Sequence, residues 1–418
     1  MNRVLSAIET DLPLLHDLLT RRLGVTLAFC ALFFVALQWG FYGIVLMQSE
    51  NLVSPFGPII GGDFIVFYEA AHAAWADPAS LYGYETLNSR LATRFPAYED
   101  EFRLGWQYPP TMYLPLALFA SVPYPVAYGT WLVAGMIALY LCLRTVWSKP
   151  LALLSALASP AVFQAAITGQ TGVFTAALFL LAVFSPDKRP IMAGIAAGIL
   201  TIKPQLGLLI PIAYAASRCW TPFFVAGITG TLIAGLSVLL FGVEPWLAFV
   251  DAAALQGSKM NVDAFPFHKL TTPFGAAVTA GLVGPIAITL QIIVFFALAA
   301  LVAIVWRSSN CAYVRASIVM IASLMVTPYV FYYELPIAVV ALFLLCKAAH
   351  RDGFLPYEGL AVAALWLTPI FMPGEHPPAF PMVGSTVIAA LALVVRRQFA
   401  LGLGRAPGAH RSGDRSFI

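Results

Sequence analysis

The stretch LGVTLAFCALFFVALQWGFYGIVLM, from Leu23 to Met47, decides the class of the protein because it contains no charged side chain. A helix needs about 20 predominantly apolar residues to cross the hydrocarbon core of a bilayer. The stretch is therefore long enough to span a membrane. The preceding residues, 1–22, are polar and of mixed charge, so we interpret the apolar stretch as a permanent span rather than a cleaved signal.

The composition of the 418 residues extends this interpretation to the whole chain. Hydrophobic residues make up 60% and charged residues 10% of the sequence, whereas soluble domains have about 45–50% and about 25%. No soluble core can bury that much apolar surface, so we expect an all-α, polytopic membrane protein. The net charge of +3 is too small to indicate a nucleic-acid partner. The five cysteines form no CxxC pair and are interpreted as buried hydrophobic residues rather than disulfides or metal ligands.

Apolar segments recur along the chain and predict about 12 transmembrane helices, within a range of 10–13. The segments are 23–47, 125–146, 151–168, 171–185, 190–202, 204–216, 222–241, 283–306, 313–327, 329–346, 356–372 and 380–396. Two neighbouring pairs, around Gly169 and around Lys203, can each be read as one long broken helix. The sequence AGIAAGIL, residues 193–200, spaces small residues four apart, which is typical of closely packed membrane helices.

The distribution of basic residues predicts the orientation of the chain. With a cytoplasmic N-terminus, most of the 23 Lys and Arg residues fall on the inner side and most acidic residues on the outer side. The two longest loops, 48–108 and 242–282, then face the outer side. We therefore expect a cytoplasmic segment at 1–22, a membrane domain at 23–397 and a disordered, Gly/Arg-rich cytoplasmic tail at 398–418.

Polar residues at the ends of the apolar segments collect on the predicted outer side. Ionisable residues at the edge of a bilayer are energetically costly and suggest function. The outer stretches are GGDF with Asp63, WQYPP with Tyr108, ITGQTG with Gln170, TIKPQ with Lys203 and Gln205, FHKLTTP with His268 and Lys269, and TPYVFYYELP with Tyr332, Tyr333 and Glu334. Inner turns are short and hold mainly Arg and Lys. The sequence therefore predicts a polar site at one face of the membrane.

The stretch GGDFIVFYEAAHAAW, residues 61–75, predicts an amphipathic helix in the first outer loop. Its apolar residues recur at helical spacing, while Glu69 and His72 lie off that stripe. We expect this helix to lie in the membrane interface, with Glu69 and His72 toward solvent. Trp75 and Trp106 are interpreted as interfacial anchors.

Asp63 occupies the N-cap position of this helix, and Gly61 and Gly62 before it allow a close backbone approach. A simple helix cap and a catalytic carboxylate both fit the position. A capping carboxylate would have its pKa lowered by the helix amides, which would weaken it as a proton acceptor unless burial offsets the effect.

The motifs resemble those of a known family. GGDFIVFYEAAHAAWADPASLYGYE resembles the DFxxYYxAAxxxxxGxxLY motif of polyprenyl-phosphate-dependent mannosyltransferases of glycosyltransferase family 87, formerly domain of unknown function 2029. The resemblance continues through WQYPPTMYLPLALFASVP, LASPAVFQAAITGQTGVFTAALFLLAV, AGIAAGILTIKPQLGLLIPIAYAASRCW and SLMVTPYVFYYELPIAVVAL. It covers about residue 20 to about residue 346, and the ordered set of motifs is specific although each one alone is weak.

The resemblance implies a GT-C fold, in which many transmembrane helices carry an active site on the extracytoplasmic face beneath an interfacial helix. It implies a polyprenyl-phosphate sugar as donor, mannose in characterised relatives, and inverting transfer to a glycolipid or polysaccharide acceptor. The first-loop aspartate of the family is its proposed general base, and Asp63 is the matching residue. With this family we expect an integral protein of the bacterial inner (plasma) membrane, in contact with membrane lipids and without a nucleic-acid partner.

Reaction chemistry agrees with this assignment. An inverting transfer needs one carboxylate to accept the proton of the acceptor hydroxyl, a role that suits Asp63. The departing lipid phosphate needs positive charge or hydrogen-bond donors nearby. Lys203 is the candidate, because Pro204 marks a helix break that favours a cavity-lining position. The alternative for Lys203 is a lysine that snorkels to the interface.

The other candidate substrate-binding residues have weaker signals. They are Tyr108, Gln170, Gln205, His268, Tyr332, Tyr333 and Glu334. Each also has a structural explanation as a helix-turn residue, a solvated loop edge or part of an interfacial aromatic belt. Around His268 the sequence FPFHKLTTPFG departs from the small-residue or serine motif that the family leads us to expect, which leaves the role of this loop open.

No residues have metal-ligand spacing, and Asp63 has no acidic neighbour in sequence. We therefore expect a metal-independent enzyme without a cofactor. The competing interpretation is a transporter or flippase of a lipid-linked sugar, which also fits many spans and broken helices. The absence of an internal repeat and the one-sided polar set favour the enzyme, and an inactive scaffold does not explain the ordered motifs. The acceptor stays open, as does the sugar, because a pentose such as arabinose would need a similar pocket.

Overall fold

The computed structural model of the chain describes residues 23–97, 104–259, 265–282, 284–372 and 382–402. Its α-helices are α1 (Leu23–Gln48), α2 (Phe64–Ala76), α3 (Tyr84–Arg94), α4 (Tyr113–Leu116), α5 (Tyr124–Val146), α6 (Pro150–Leu157), α7 (Pro160–Ile167), α8 (Gly172–Val183), α9 (Pro190–Ile199), α10 (Pro204–Gly207), α11 (Leu209–Ala216), α12 (Trp220–Phe241), α13 (Glu244–Lys259), α14 (Pro273–Thr279), α15 (Gly284–Ser308), α16 (Ala312–Ser323), α17 (Pro336–Asp352), α18 (Glu358–Leu367) and α19 (Met382–Gly402). Short 3-10 turns occur at Ser80–Tyr82, Pro110–Met112, Ala117–Phe119, Leu200–Ile202, Phe267–Lys269, Tyr332–Glu334 and Thr368–Phe371. These ranges contain no β-strand, so the predicted all-α class is confirmed for them.

Six helices of the described residues are long and apolar enough to cross a membrane. They are Phe29–Gln48, Tyr124–Val146, Trp220–Phe241, Gly284–Ser308, Tyr332–Asp352 and Met382–Gly402. Helices α6 and α7 reach this length only as a pair, which is bent by 53° at its break. The remaining predicted spans correspond to apolar helices of 10–17 residues. A polytopic membrane protein is confirmed, whereas the predicted number of about 12 spans is not established.

The ends of the predicted membrane domain are only partly described. Helix α19 continues past residue 397, the predicted end of the membrane domain, as far as Gly402. The predicted cytoplasmic segment 1–22 and the rest of the predicted tail, 403–418, lie outside the described residues.

The long helices differ in how deeply they are buried. The span Tyr332–Asp352 is central, with 78% of its most apolar window buried by neighbouring helices. Trp220–Phe241 is peripheral, with 6% of its window buried. Such exposure of an apolar helix is expected where the surface faces lipid, because a soluble protein does not leave so large an apolar patch in water.

The small-residue pattern in α9 packs as the sequence predicts. A Cβ atom at Gly194 would lie 2.6 Å from Val225 Cβ, and one at Gly198 would lie 2.5 Å from Thr229 Cβ. Both contacts join α9 to α12. Because larger residues at these positions would push the helices apart, the glycines hold the peripheral α12 against the rest of the protein.

Helix α2 forms where it was predicted, but it is not a surface helix. It packs against α3, α4 and α5 and is buried on nearly all sides. The expectation that Glu69 faces solvent is wrong: this residue is 1% exposed and accepts a hydrogen bond from Arg90 Nε at 2.6 Å and another from Arg94. The two arginines of α3 compensate its buried charge.

The solvent exposure of Trp75, Trp106 and His72, on and around α2, agrees only partly with the prediction. Trp75 is largely exposed, which suits an interfacial anchor, whereas Trp106 is buried. His72 is half-buried rather than turned to solvent. The covering of α2 by the rest of the first loop explains these differences.

Tyrosines of α5 fix the turn that leads into α2. Tyr124 donates a hydrogen bond from its hydroxyl group to the carbonyl of Ile60 at 2.6 Å, and Tyr128 donates to the carbonyl of Ile167 at 2.9 Å. Gly61 has a φ of 90°, and a Cβ there would lie 2.7 Å from the Tyr124 hydroxyl oxygen. The close backbone approach predicted for the GGD stretch is therefore present, and it sets the position of the next residue, Asp63.

Candidate active site

Five of the polar stretches predicted to face the outer side supply the side chains of one hydrogen-bonded and ion-paired cluster. Asp63 immediately precedes α2, Tyr108 lies in the segment before α4, Gln170 lies between α7 and α8, Lys203 precedes α10 and Glu334 precedes α17. All five therefore stand at a turn or a helix start. Such turns let side chains from distant parts of the chain converge at one end of a helical bundle.

The carboxylate of Asp63 is held by a side chain rather than by its own helix. Asp63 has backbone angles φ −66° and ψ −10°, and its side chain makes no capping hydrogen bond. Instead, Gln170 donates from Nε2 to Asp63 Oδ2 at 2.6 Å. The simple helix-cap interpretation of Asp63 is therefore wrong.

The amide of Gln170 links Asp63 to a tyrosine. The hydroxyl group of Tyr108 donates to Gln170 Oε1 at 3.1 Å and lies 3.3 Å from the hydroxyl oxygen of Thr171. Both hydrogen-bonding ends of the glutamine amide are thus occupied by protein groups. Gln170 is 8% exposed, so its side chain has little room to rearrange.

Burial changes the acidity of Asp63 in the direction that a proton acceptor needs. Burial raises the pKa of this carboxyl group above its ordinary value, and three weaker effects oppose it: the hydrogen bond from Gln170 and the positive charges of Lys269 and Lys203. The lowered pKa expected for a capping carboxylate is therefore not found. A carboxylate with a raised pKa is a stronger base once it is ionised.

Lys203 and Glu334 form a buried ion pair that the sequence did not predict. The ammonium group of Lys203 donates to Glu334 Oε1, and Thr175 donates from its hydroxyl group to Glu334 Oε2 at 2.6 Å. Lys203 is 6% and Glu334 is 2% exposed. The lysine nitrogen also lies 5.0 Å from the ring centroids of Tyr108 and Tyr333, within cation–π range.

A pocket opens directly beside this ion pair. It is small and half open, and it is lined by Gln107, Tyr108, Lys203, Gln205, Leu206, Tyr329, Val330, Phe331, Tyr333 and Glu334. Asp63 is connected to it through Gln170 and the lining residue Tyr108. The pocket therefore combines aromatic faces, amides and one charge pair, a surface that suits a polar ring carrying a charged group.

Two glycines let the turn that carries Gln170 pack at backbone contact. A Cβ atom at Gly169, whose φ is 66°, would overlap Phe64, and one at Gly172 would overlap the carbonyl oxygen of Tyr333. The turn is therefore pressed between the start of α2 and the 3-10 turn that carries Glu334. Any side chain at Gly172 would move these elements apart.

The loop predicted as the second outer loop reaches the same region through a lysine. Leu270 pairs with Phe331 in an isolated bridge, and Thr271 donates from its backbone nitrogen to the Val330 carbonyl at 2.8 Å. These contacts fasten the loop to the pocket wall, and the charge of Lys269 acts on Asp63. The predicted residue His268 is half-buried on the same 3-10 turn.

The remaining predicted residues also lie in this region. Gln205 lines the pocket, and Tyr332 packs beside Tyr333 with ring centroids 5.8 Å apart. Thr175 was not predicted, because it sits in an apolar helix with no local signal. Gln107 and Tyr329 belong to the predicted outer stretches WQYPP and TPYVFYYELP, but they were not among the predicted binding residues.

Among the residues with a described position, no group of three or more His, Cys, Asp or Glu side chains is arranged to hold a metal ion. The acidic groups nearest the pocket, Asp63 and Glu334, are engaged by Gln170, by Lys203 and by Thr175. The expectation of metal independence stays a prediction.

The model of glycosyltransferase family 87 matches residues 106–328, more than half of the chain. The match includes Tyr108, Gln170, Lys203, Gln205 and His268. It does not include Asp63 or the turn Tyr332–Glu334, which the structure brings into contact with the matched region. No curated protein and no solved structure matches the chain.

Proposed function

The chain belongs to glycosyltransferase family 87 and is a membrane glycosyltransferase, and from this premise we propose that it uses a polyprenyl-phosphate sugar as donor. The proposed reaction moves a hexose, mannose by resemblance to the family, to a glycolipid or polysaccharide acceptor. It inverts the anomeric carbon and uses Asp63 as the general base. The observation that carries the proposal is the Asp63 carboxylate, held by Gln170 next to a pocket that contains a buried lysine.

The two oxygens of Asp63 support its role as base. Oδ2 accepts the hydrogen bond from Gln170, and within the described part of the chain Oδ1 accepts none from the protein. A free carboxylate oxygen can accept the proton of a sugar hydroxyl as that hydroxyl attacks the anomeric carbon. The raised pKa of Asp63 strengthens the oxygen as a proton acceptor.

The donor phosphate is proposed to bind at Lys203. An ammonium group has three N–H donors, and Glu334 occupies one of them. The others can reach phosphate oxygens in the pocket, where the lysine would offset the negative charge that develops as the sugar leaves. Glu334 holds the lysine in place, and the rings of Tyr108 and Tyr333 suit packing against a sugar.

The membrane setting follows from the same proposal. We propose that both termini are cytoplasmic and that the pocket opens on the extracytoplasmic face of a bacterial inner membrane. We also propose that the enzyme needs neither a metal nor a cofactor. Several apolar helices that face outward supply the lipid contact that a polyprenyl chain requires.

The proposal is tested with purified protein in detergent, radiolabelled synthetic polyprenyl-phosphate mannose and a membrane lipid extract as acceptor. We expect labelled glycolipid to form at the same rate with and without EDTA. NMR of the product should show the anomeric configuration opposite to that of the donor. Transfer from a nucleotide sugar but not from the polyprenyl-phosphate sugar would contradict the donor assignment, and retention of configuration would contradict the single-displacement mechanism.

A transporter remains the contrasting hypothesis for the pocket, and the same preparation addresses it. Donor lipid in sealed vesicles should not change leaflet when the protein is added without acceptor. Rapid movement of the donor lipid between leaflets, with no transfer to any acceptor, would contradict the proposed reaction.

A further inference from the structure

Gln170 has a hydrogen-bonding arrangement that is fixed at both ends. Its Nε2 donates to Asp63 Oδ2 at 2.6 Å, and its Oε1 accepts from the Tyr108 hydroxyl group at 3.1 Å. An ionised carboxylate can only accept hydrogen bonds, so the nitrogen of the amide must face Asp63 and the oxygen must face Tyr108. The network thus selects one orientation of the amide.

The backbone of Gln170 is equally constrained. Gly169 and Gly172 on either side make backbone-level contacts with Phe64 and Tyr333. The glutamine is therefore carried by a turn packed between the segment that holds Asp63 and the segment that holds Glu334. A side chain fixed in this way holds its hydrogen-bond partner in a defined position.

We propose that Gln170 is the positioning residue of the base, which binds Asp63 Oδ2 so that Oδ1 alone is directed toward the acceptor hydroxyl. This inference rests on the proposed function of Asp63. It also reassigns Gln170, because the residue then acts through Asp63 rather than through a direct contact with the sugar or phosphate.

The surroundings of Asp63 define what else can influence its protonation. The charged and titratable groups that face it are Lys203, Lys269, Tyr124, Tyr329, Tyr332 and Tyr333. Replacing Gln170 alters none of these side chains, although it also removes the acceptor of the Tyr108 hydroxyl group.

The kinetic test compares Gln170→Leu with Gln164→Leu. Gln164 is a buried glutamine of α7 that donates to the Pro369 carbonyl at 2.6 Å and has no described contact with the pocket. We expect Gln170→Leu to lower kcat at least about tenfold while KM for the donor changes less than about threefold. We expect Gln164→Leu to leave both constants near their wild-type values. A raised donor KM with unchanged kcat in Gln170→Leu would overturn the proposal in favour of substrate binding.

A second readout does not depend on sugar transfer. Dicyclohexylcarbodiimide modifies protonated carboxyl groups in apolar surroundings, so mass spectrometry of labelled Asp63 against pH reports its protonation. Loss of the hydrogen bond in Gln170→Leu should move half-maximal labelling upward by about one pH unit. Gln170→Glu should move it further, because two adjacent carboxylates resist joint ionisation.

The two readouts separate failure of this inference from failure of the proposed function. If the wild-type protein transfers no sugar, the proposed function is contradicted, and labelling still decides whether Gln170 controls Asp63. Identical labelling profiles in wild type and both Gln170 variants would overturn the positioning role, whatever the transfer assay gives.

Discussion

Two of the buried ion pairs among the described residues, Arg397–Glu358 and Lys203–Glu334, have different surroundings. Arg397 of α19 donates to Glu358 from Nε at 2.6 Å and from Nη2, and its Nη2 also donates to the Gly353 carbonyl at 2.8 Å. Glu358 accepts in addition from the backbone nitrogen of Leu355 at 2.9 Å. The protein buries this pair, in which Arg397 is 1% and Glu358 is 0% exposed.

The second pair, Lys203–Glu334, is also buried, but it forms part of a pocket wall. Its lysine has one carboxylate partner, and two tyrosine rings face the remaining part of the ammonium group. The first pair is enclosed by the protein, and its arginine binds both a carboxylate and a backbone carbonyl. The second retains donors toward an open space, which is the property expected of a site that binds an anion.

Breaking the enclosed pair should have the largest effect on stability. Arg397→Met leaves Glu358 charged and unpaired in the interior, which costs about 3–5 kcal/mol. We expect a large fall in the melting temperature of the detergent-solubilised protein. The double variant Arg397→Met/Glu358→Leu removes both charges and should recover most of the loss. Equal melting temperatures for the single and double variants would show that the pair is not held as described.

Replacing both residues of a pair should show whether that pair contributes to sugar transfer or only to packing. Lys203→Met/Glu334→Leu removes both charges of the pocket pair, so we expect a folded protein whose sugar transfer falls about 100-fold, the scale of one lost charge-stabilising group. Arg397→Met/Glu358→Leu should change transfer less than about threefold. The measurement is initial transfer rate at matched amounts of folded protein. Equal activity of the two double variants would remove the distinction between the pairs.

The pocket pair also depends on the close approach of two backbones. Gly172→Ala would place a methyl group on the Tyr333 carbonyl oxygen, beside Glu334, and should destabilise the protein by about 1–3 kcal/mol. Gly227→Ala in α12 is the matched control, because a Cβ atom there has no neighbour within 4 Å. Thermal unfolding compares the two variants. A control as unstable as Gly172→Ala would indicate that the effect is not caused by the contact with Tyr333.

Asp63 differs from Glu334 and Glu358 because no cation of the described residues donates a hydrogen bond to it. We expect its removal to have the smallest effect on stability. Burial raises the pKa of Asp63 in the folded protein above its unfolded value. Its contribution to stability is then fully present below the unfolded pKa and is lost as pH rises through the folded pKa. Asp63→Asn should therefore melt slightly higher than wild type at pH 8, with the difference shrinking as pH falls. A lower melting temperature for Asp63→Asn at pH 8 would contradict the raised pKa.

Hydropathy and residue spacing predicted most of the fold. Apolar segments located the long helices, and the small-residue pattern of α9 predicted that this helix packs closely against another helix. The error at Glu69 has a clear physical cause: a helical wheel describes one helix and cannot show that α3 covers it. Arg90 and Arg94, four residues apart, were the available signal, since they present two cations on one helix face.

The candidate site was predictable as a set of residues but not as a network. The positive-inside rule placed Asp63, Gln170, Lys203 and Glu334 on one face, and the structure brings them together. Which of these residues pair with each other could not be predicted, because Lys203 and Glu334 are 131 positions apart in the chain. Pairing at such separation is decided by helix packing, which local sequence patterns do not encode.

The central claim is that Asp63 is the base, and initial rates of mannose transfer from polyprenyl-phosphate mannose test it most directly. Asp77→Asn is the matched control, since Asp77 is an exposed carboxylate at the other end of α2. We predict that Asp63→Asn loses about 100-fold or more of the wild-type rate, the scale of general-base catalysis, while Asp77→Asn stays near wild type. Equal rates for Asp63→Asn and Asp77→Asn would contradict the account.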